Sequence, residues 1–209
     1  MGEQPAVNER WQGKWDRDEI RWHRDHVNDN LQKFAPDFIT KEGARVFVPL
    51  CGKTLDMKWL YDKGCTVIGV EAIEKAVIEY FVEQKIAYET KDVEGFQVYT
   101  SKDERMQIFK GNLFDFNETI AGGLFDHFWD RGSLAAIDKD TREQYVDLFS
   151  KVMKSGSTGL LEVFEYDTSL NSEQPFPIYL EDLNKLYSDS FTYKEFARGE
   201  DPNKSSFIP

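Results

Sequence analysis

Apolar residues recur along this 209-residue chain in short runs whose spacing alternates between helical and extended. Residues 17–38 are charged but carry Ile20, Val27, Leu31, Phe34 and Phe38 at roughly helical spacing, which predicts an N-terminal helix closed near Pro36. Residues 45–50 form an apolar run that predicts a buried strand, and Cys51-Gly52-Lys53 predicts a tight turn. A helix over 54–62 follows, then a second strand over 65–71 that stops on Glu71. Ile73, Val77, Ile78, Phe81 and Val82 mark one face of a helix over 72–84. Two short strands at 96–99 and 106–109 flank a polar turn at 101–104, the pattern of a hairpin. The series closes with a strand over 124–129, a helix over 141–153, a strand over 158–164, a short helix over 180–187 and a final strand over 191–196.

Such alternation predicts an α/β fold, a doubly wound and mostly parallel sheet covered by helices on both faces. Right-handed crossovers then place a ligand at the carboxyl ends of the strands. Leu50, Glu71, Asn112, Asp130 and Arg131 all follow strand ends and are the first candidates for a site.

Composition narrows the field. At 40% hydrophobic the chain can build one good core, so a single domain over 1–209 is expected. Acids outnumber bases 38 to 26, a net charge of -12, and no basic block offsets it. A surface this negative repels phosphate backbones, which argues against nucleic acid as a partner. Cys51 and Cys65 lie within one strand-helix-strand unit and suit reduced thiols, and no CxxC pair points to a metal. The apolar runs are too short to span a membrane, and the start lacks a signal-peptide pattern. Ala6 stands where a myristoylation site after Gly2 wants serine or threonine. The expectation is a cytoplasmic monomer acting on a small molecule.

A strand opening into a glycine turn at a helix start, with a carboxylate about 20 residues on, is a way to grip a nucleoside cofactor. Gly52 lets the backbone approach the ligand, and Glu71 accepts hydrogen bonds from ribose hydroxyls. A dinucleotide calls for three glycines where its pyrophosphate rests, and this turn has one. S-adenosylmethionine carries no phosphate and needs less exposed backbone, and its sulfonium favours electron-rich surroundings. Spacing alone therefore prefers it, with a nicotinamide cofactor as the other possibility.

The residues themselves say more. Val48-Pro-Leu-Cys-Gly-Lys-Thr-Leu-Asp-Met-Lys-Trp59, Val67-Ile-Gly-Val-Glu71 and Phe128-Trp-Asp-Arg-Gly132 together resemble the thiopurine S-methyltransferase family. Trp11-Gln-Gly-Lys-Trp15, Tyr166-Asp167 and the Pro175-Phe176 loop add to the resemblance, which covers roughly residues 8–190. It implies a class I methyltransferase (Rossmann-like) fold using S-adenosylmethionine, with S-adenosylhomocysteine as product. It implies methyl transfer to the sulfur of a small aromatic or heterocyclic thiol. By the same resemblance Leu50 contacts the cofactor, Glu71 holds its ribose, and Asn112 and Leu113 flank adenine. Arg131 sits beside the cofactor's amino-acid end and the acceptor, as the one catalytic residue. The stretch from Trp11 through Trp15 to Trp22 closes over the cofactor, with Trp22 facing the acceptor. Residues 1–40 then form a lid and helix, 41–198 the cofactor-binding core and 199–209 a polar tail.

Each role has a plainer rival. Trp11, Trp15 and Trp22 fall within about 40° of one another on an ideal helix, so they suit a packing stripe, although Gly13 counts against a continuous helix. Arg131 has Asp130 as a potential ion-pair partner, and Asp115 suits a helix cap as well as an adenine contact. Cys51 reads as a small turn residue, and His23, His26 and His127 as surface or packing histidines. Glu162, Glu165 and Asp167 read as a solvated strand end bordering the acceptor pocket. The segment after Phe196 is too polar for the family's last strand, so the sheet is expected with that strand missing or incomplete. Arg198 is the only stand-in for the family's late arginine. Two alternatives remain: a methyltransferase for a halide, selenium or tellurium species, and a cofactor-binding protein without turnover.

Overall fold

Uninterrupted apolar strands need cover on both faces, and the helices between them supply it. A computed structural model of the chain describes residues 4–171 and 174–200. Helices α1 (Gln4–Asp16) and α2 (Asp29–Phe38) precede β1 (Arg45–Pro49), α3 (Leu55–Asp62), β2 (Thr66–Glu71) and α4 (Glu74–Glu83). Three strands follow, β3 (Tyr88–Val93), β4 (Phe96–Ser101) and β5 (Met106–Lys110). The single turn α5 (Glu118–Ala121) leads into β6 (Phe125–Arg131), and a second turn, α6 (Ser133–Ala136), leaves it. Helix α7 (Arg142–Val152), β7 (Met153–Glu162) and α8 (Leu180–Tyr187) complete the series.

The seven strands form one sheet in the order β3-β4-β5-β2-β1-β6-β7. β1 pairs in parallel with β2 and β6, β2 with β5, and β6 with β7. Only the β3-β4-β5 meander runs antiparallel. The chain moves from β1 outward through β2, then returns to the other side of β1 as β6. Loops on either side of that reversal diverge and leave a crevice at the strand tips.

Side chains alternate across the sheet into two cores. Phe47, Ile68 and Val70 face one cluster with Phe109, Phe116, Phe125 and Phe149. Val46, Val48 and Val67 face the other, where Leu31, Phe34 and Phe38 of α2 meet Met57, Leu60, Tyr80 and Phe81. Phe47 lies fully buried, its ring 5.6 Å from Phe116 and 5.0 Å from Phe125 in stacked pairs, and 5.6 Å edge-on from Phe149. Gly69 on β2 permits close packing, since a Cβ there would fall 2.7 Å from the Cys51 sulfur.

Several expectations are corrected. The helix expected over 17–38 is α2 alone: Asn28 caps it, its Oδ1 accepting from Leu31 N at 3.0 Å, and residues 17–28 form turns and loop. Pro36 lies inside α2, on its exposed side, and the helix runs on to Phe38. Gly13 does not break α1. On α4 the buried face is Ala76, Val77, Tyr80 and Phe81, whereas Ile78 and Val82 are 38% and 64% exposed. β3 has no apolar stripe because it is an edge strand with mostly exposed side chains, so the pattern gave no sign of it. β7 starts at Met153 rather than 158 and stops at Glu162, before Phe164. The strand expected over 191–196 does not form: Tyr193 instead bonds Asn184 at 2.6 Å, and Phe196 packs on Phe34 at 5.1 Å. Among the described residues β7 is therefore the edge of the sheet. The expected polar tail lies, from 201 to 209, outside the described residues.

Removing the Phe47 ring leaves a hole among three aromatic neighbours. Phe47→Ala should cost about 3–5 kcal/mol of stability, the range for buried aromatics, read by guanidinium denaturation.

Candidate active site

At the carboxyl ends of β1, β2, β5 and β6 a cleft with roughly 230 Å³ of interior space opens. Trp11, Trp15, Trp22, Leu50, Gly52, Glu71, Asn112, Leu113 and Arg131 all line it, whereas Asp130, also at a strand end, does not.

The floor is the turn after β1. Leu50 has φ +41° and Gly52 φ +51°, so two residues close together occupy left-handed backbone, costly for a leucine. Cys51 N donates to Val70 O at 3.1 Å and Gly52 N to Glu71 Oε2 at 2.8 Å, which hold the turn against that cost. The other Glu71 oxygen accepts from Ile73 N at 2.9 Å. Glu71 is 6% exposed, and burial pushes its carboxyl above the ordinary value while the backbone amides pull it back. A Cβ on Gly52 would lie 3.5 Å from the Trp15 ring, an ordinary contact, so it is the left-handed φ that favours glycine there. Burial, reinforced by the Glu71 charge, pushes the Cys51 thiol well up, which suits a turn residue and not a nucleophile.

Tryptophans form one wall. Trp11 and Trp15 come from successive turns of α1, but Trp22 returns to them from the following loop and not from a shared helix. Trp22 meets Trp11 edge-on at 5.1 Å and Trp15 at 6.2 Å. Ammonium groups already use these faces, Lys14 at 5.2 Å from the Trp11 ring and Lys53 at 6.0 Å from Trp15. The end of α1 is pinned to α4: Lys75 Nζ donates to the Trp15 carbonyl at 2.8 Å and to Asp18 at 2.6 Å. A cation at a helix carboxyl end also answers the helix dipole.

Arg131 forms the opposite lip. Its Nη1 donates to the Trp22 carbonyl at 2.7 Å, and its Nε stands 3.6 Å from Glu162 Oε1. Asp130 is not its ion-pair partner. That carboxylate turns into the core, accepting from Tyr145 Oη at 2.7 Å and Ser133 N at 2.9 Å, and burial raises its pKa to about 6. Asn112 caps the 3-10 turn Leu113–Asp115 and donates to Asp115 at 3.0 Å, so Asp115 sits with the cap.

Other expectations divide. His127 is a buried packing residue, its ring bonded to Thr158 at 2.8 Å, and His26 lies at the surface beside Asp25. His23, however, lines the cleft with Arg24, Ile73, Phe164 and Pro175, none of which was singled out as a site residue. His23 and Arg24 lie outside any periodic element, so no spacing signal marked them. Arg198 ion-pairs with Glu165 and with Glu195 at the surface and does not line the cleft, so it is no stand-in for an acceptor-contacting arginine. Glu162 is not solvated: it binds Asn28, Asn30 and Arg131.

Known structures share this architecture. A TehB-like SAM-dependent methyltransferase from Corynebacterium glutamicum superposes with a TM-score of 0.55 at 13% identity, over 89% of this chain and 83% of that one. The 1,6-didemethyltoxoflavin-N1-methyltransferase of Burkholderia thailandensis, solved with S-adenosylhomocysteine, gives 0.57 at 16% identity over 79% and 64%. The fold is that of a class I S-adenosylmethionine-dependent methyltransferase. The family model of Thiopurine S-methyltransferase (TPMT) matches residues 6–206. Thiopurine S-methyltransferase of Equus caballus is 34% identical over 183 residues, 86% of this chain and 74% of that protein. The probable thiopurine S-methyltransferase of Danio rerio is 34% identical over 184 residues, 86% and 79% of the two chains. The chain belongs to the thiopurine S-methyltransferase family.

Freeing the end of α1 should loosen the tryptophan wall without disturbing the sheet. Lys75→Met is expected to speed tryptic cleavage after Arg17 and Arg21 while leaving the thermal midpoint nearly unchanged, since exposed ion pairs contribute little to stability.

Proposed function

We propose that this protein transfers a methyl group from S-adenosylmethionine to the sulfur of a small aromatic or heterocyclic thiol. The observation that carries the reading is the cleft at the strand tips, where the Glu71 carboxylate, the three tryptophans and the Arg131 guanidinium converge in a member of this family.

The residues present fit the cofactor. Glu71 is a buried-edge carboxylate with one oxygen on each flanking amide, and each oxygen keeps a further lone pair for a ribose hydroxyl. Asn112 and Leu113 offer a polar edge and an apolar face for adenine, and Gly52 lines the cleft beside Glu71. The tryptophans already attract cations, the preference a sulfonium shares. When bound, S-adenosylmethionine supplies an activated methyl group that an acceptor sulfur takes by in-line displacement.

The protein's share is then mostly positioning, for which effective molarities of about 10⁵ M or more are known. The tryptophan wall excludes water from the acceptor end. Arg131, at the lip beside Trp22, favours the thiolate over the thiol, because a nearby cation lowers a thiol pKa. No enzyme thiol is required, consistent with the raised pKa of Cys51.

The same reading takes the chain as a single methyltransferase domain whose residues 1–40 act as the lid. It also takes the protein as a cytoplasmic monomer. Both cysteines are free and buried, as a reducing compartment allows, and no helix among the described residues is long and apolar enough to cross a membrane.

Two variants test the assignment. Glu71→Gln should weaken S-adenosylhomocysteine binding by about 1–3 kcal/mol in calorimetry, the usual effect of losing a charged hydrogen-bond partner. Because burial raises the Glu71 pKa, wild-type affinity should fall as pH drops through that raised value, and the glutamine variant should lack this acid-side loss. Arg131→Ala should slow methylation of thiophenol from labelled cofactor most steeply below the thiol pKa. Retention of both cofactor affinity and rate would remove Arg131 from its role. Transfer to a halide or metalloid but to no thiol would move the acceptor class, and binding without any transfer would leave a non-catalytic protein.

A further inference from the structure

Glu162 closes β7 beside the cleft, and its surroundings are more ordered than a strand end requires. Its side chain is 15% exposed, and its oxygens accept from Asn28 Nδ2 at 3.1 and 3.2 Å. Asn30 Nδ2 donates to Oε2 at 2.7 Å. Asn28 is itself fixed: its backbone amide donates to Asp56 Oδ1 at 2.8 Å, and the second Asp56 oxygen accepts from Trp129 Nε1 at 2.9 Å. Asp56 is 2% exposed and Asn28 1%. The carboxylate of Glu162 is thus anchored through the start of α2 to the floor of the sheet. The Arg131 Nε stands 3.6 Å from this anchored carboxylate. With Nη1 tied to the Trp22 carbonyl at 2.7 Å, the guanidinium is held from two directions.

We propose that Glu162 is a positioning residue, which orients the Arg131 guanidinium at the acceptor end and tempers its positive charge. It thereby sets the pH at which an acceptor thiol ionises in the cleft. The inference rests on the thiol-methylating reading above. An unopposed guanidinium would pull the thiol pKa further down, whereas a carboxylate on its far side cancels part of that field. Other charges face the same space. Lys14 comes from α1, His23 and Arg24 from the loop before α2, Lys53 from the turn after β1, Asp56 from α3, Glu71 from β2 and Asp138 from the loop after α6, while Asp130 beside Arg131 is turned into the core. Glu162 pairs with Arg131 itself, its Oε1 3.6 Å from Nε.

The test uses thiophenol as acceptor with full-length protein. Calorimetry of thiophenol binding to the S-adenosylhomocysteine complex, and kcat with S-adenosylmethionine, are each followed against pH. Glu162→Gln keeps the side-chain length and removes the charge. Its acid-side midpoint should fall by about one pH unit in both profiles, as for loss of a nearby charge, while kcat on the plateau drops because the guanidinium is less well held. Glu162→Asp, which keeps the charge but draws it back, should give a midpoint between the two, and it carries the test if the glutamine variant does not fold. Unchanged midpoints would overturn the proposal, since a purely structural residue would lower stability or affinity without moving them. Failure of the functional reading shows separately, as wild-type protein that binds thiophenol but leaves it unmethylated.

Discussion

The site depends on one carboxylate. Glu71 ends β2 under nearly complete burial, and its two oxygens bind the amides of Gly52 and Ile73. Those bonds tie the turn after β1 to the start of α4 and keep Leu50 in a conformation that leucine disfavours. A buried carboxylate without such donors would be neutralised or expelled. The glutamate therefore organises the floor and presents its remaining lone pairs to the cleft. The two atoms that hold the local fold thus also line the cleft.

Around that floor two different parts of the fold supply the walls. The parallel strands β1, β2 and β6 carry Leu50, Glu71 and Arg131 at or beside their tips on a doubly covered sheet, where two aromatic and aliphatic cores fix the backbone. The tryptophan wall comes instead from α1 and the loop after it, tied to the body through Lys75 and the Arg131 contact to Trp22. A net charge of -12 coexists with a cleft where Lys14, Arg24, Lys53 and Arg131 gather. The molecule is acidic overall yet presents cations where an anionic sulfur would enter.

Legibility from sequence followed burial. The strands β1, β2, β5 and β6 were readable because both of their faces are covered and most of their residues are buried. The motif residues at their ends were readable for the same reason, since a strand end fixes where a side chain points. β3 was not, because Tyr-Glu-Thr-Lys-Asp-Val at a sheet edge buries little. The loop over 17–28 mimicked a helix because Ile20 and Val27 fall in phase with Leu31 of α2, a spacing that turns can also produce. Glu162 looked solvated because nothing local reveals that Asn28 and Asn30, more than 130 residues earlier, converge on it. Tertiary polar networks of this kind leave no periodic trace.

The edge-on packing of Trp22 against both Trp11 and Trp15 has a spectroscopic consequence. Indole rings this close couple their electronic transitions, so the near-ultraviolet circular dichroism of the protein carries a signature of their mutual angle. Any ligand that parts or tightens the trio must rewrite that spectrum, which gives the protein a built-in, label-free reporter of what its cleft contains.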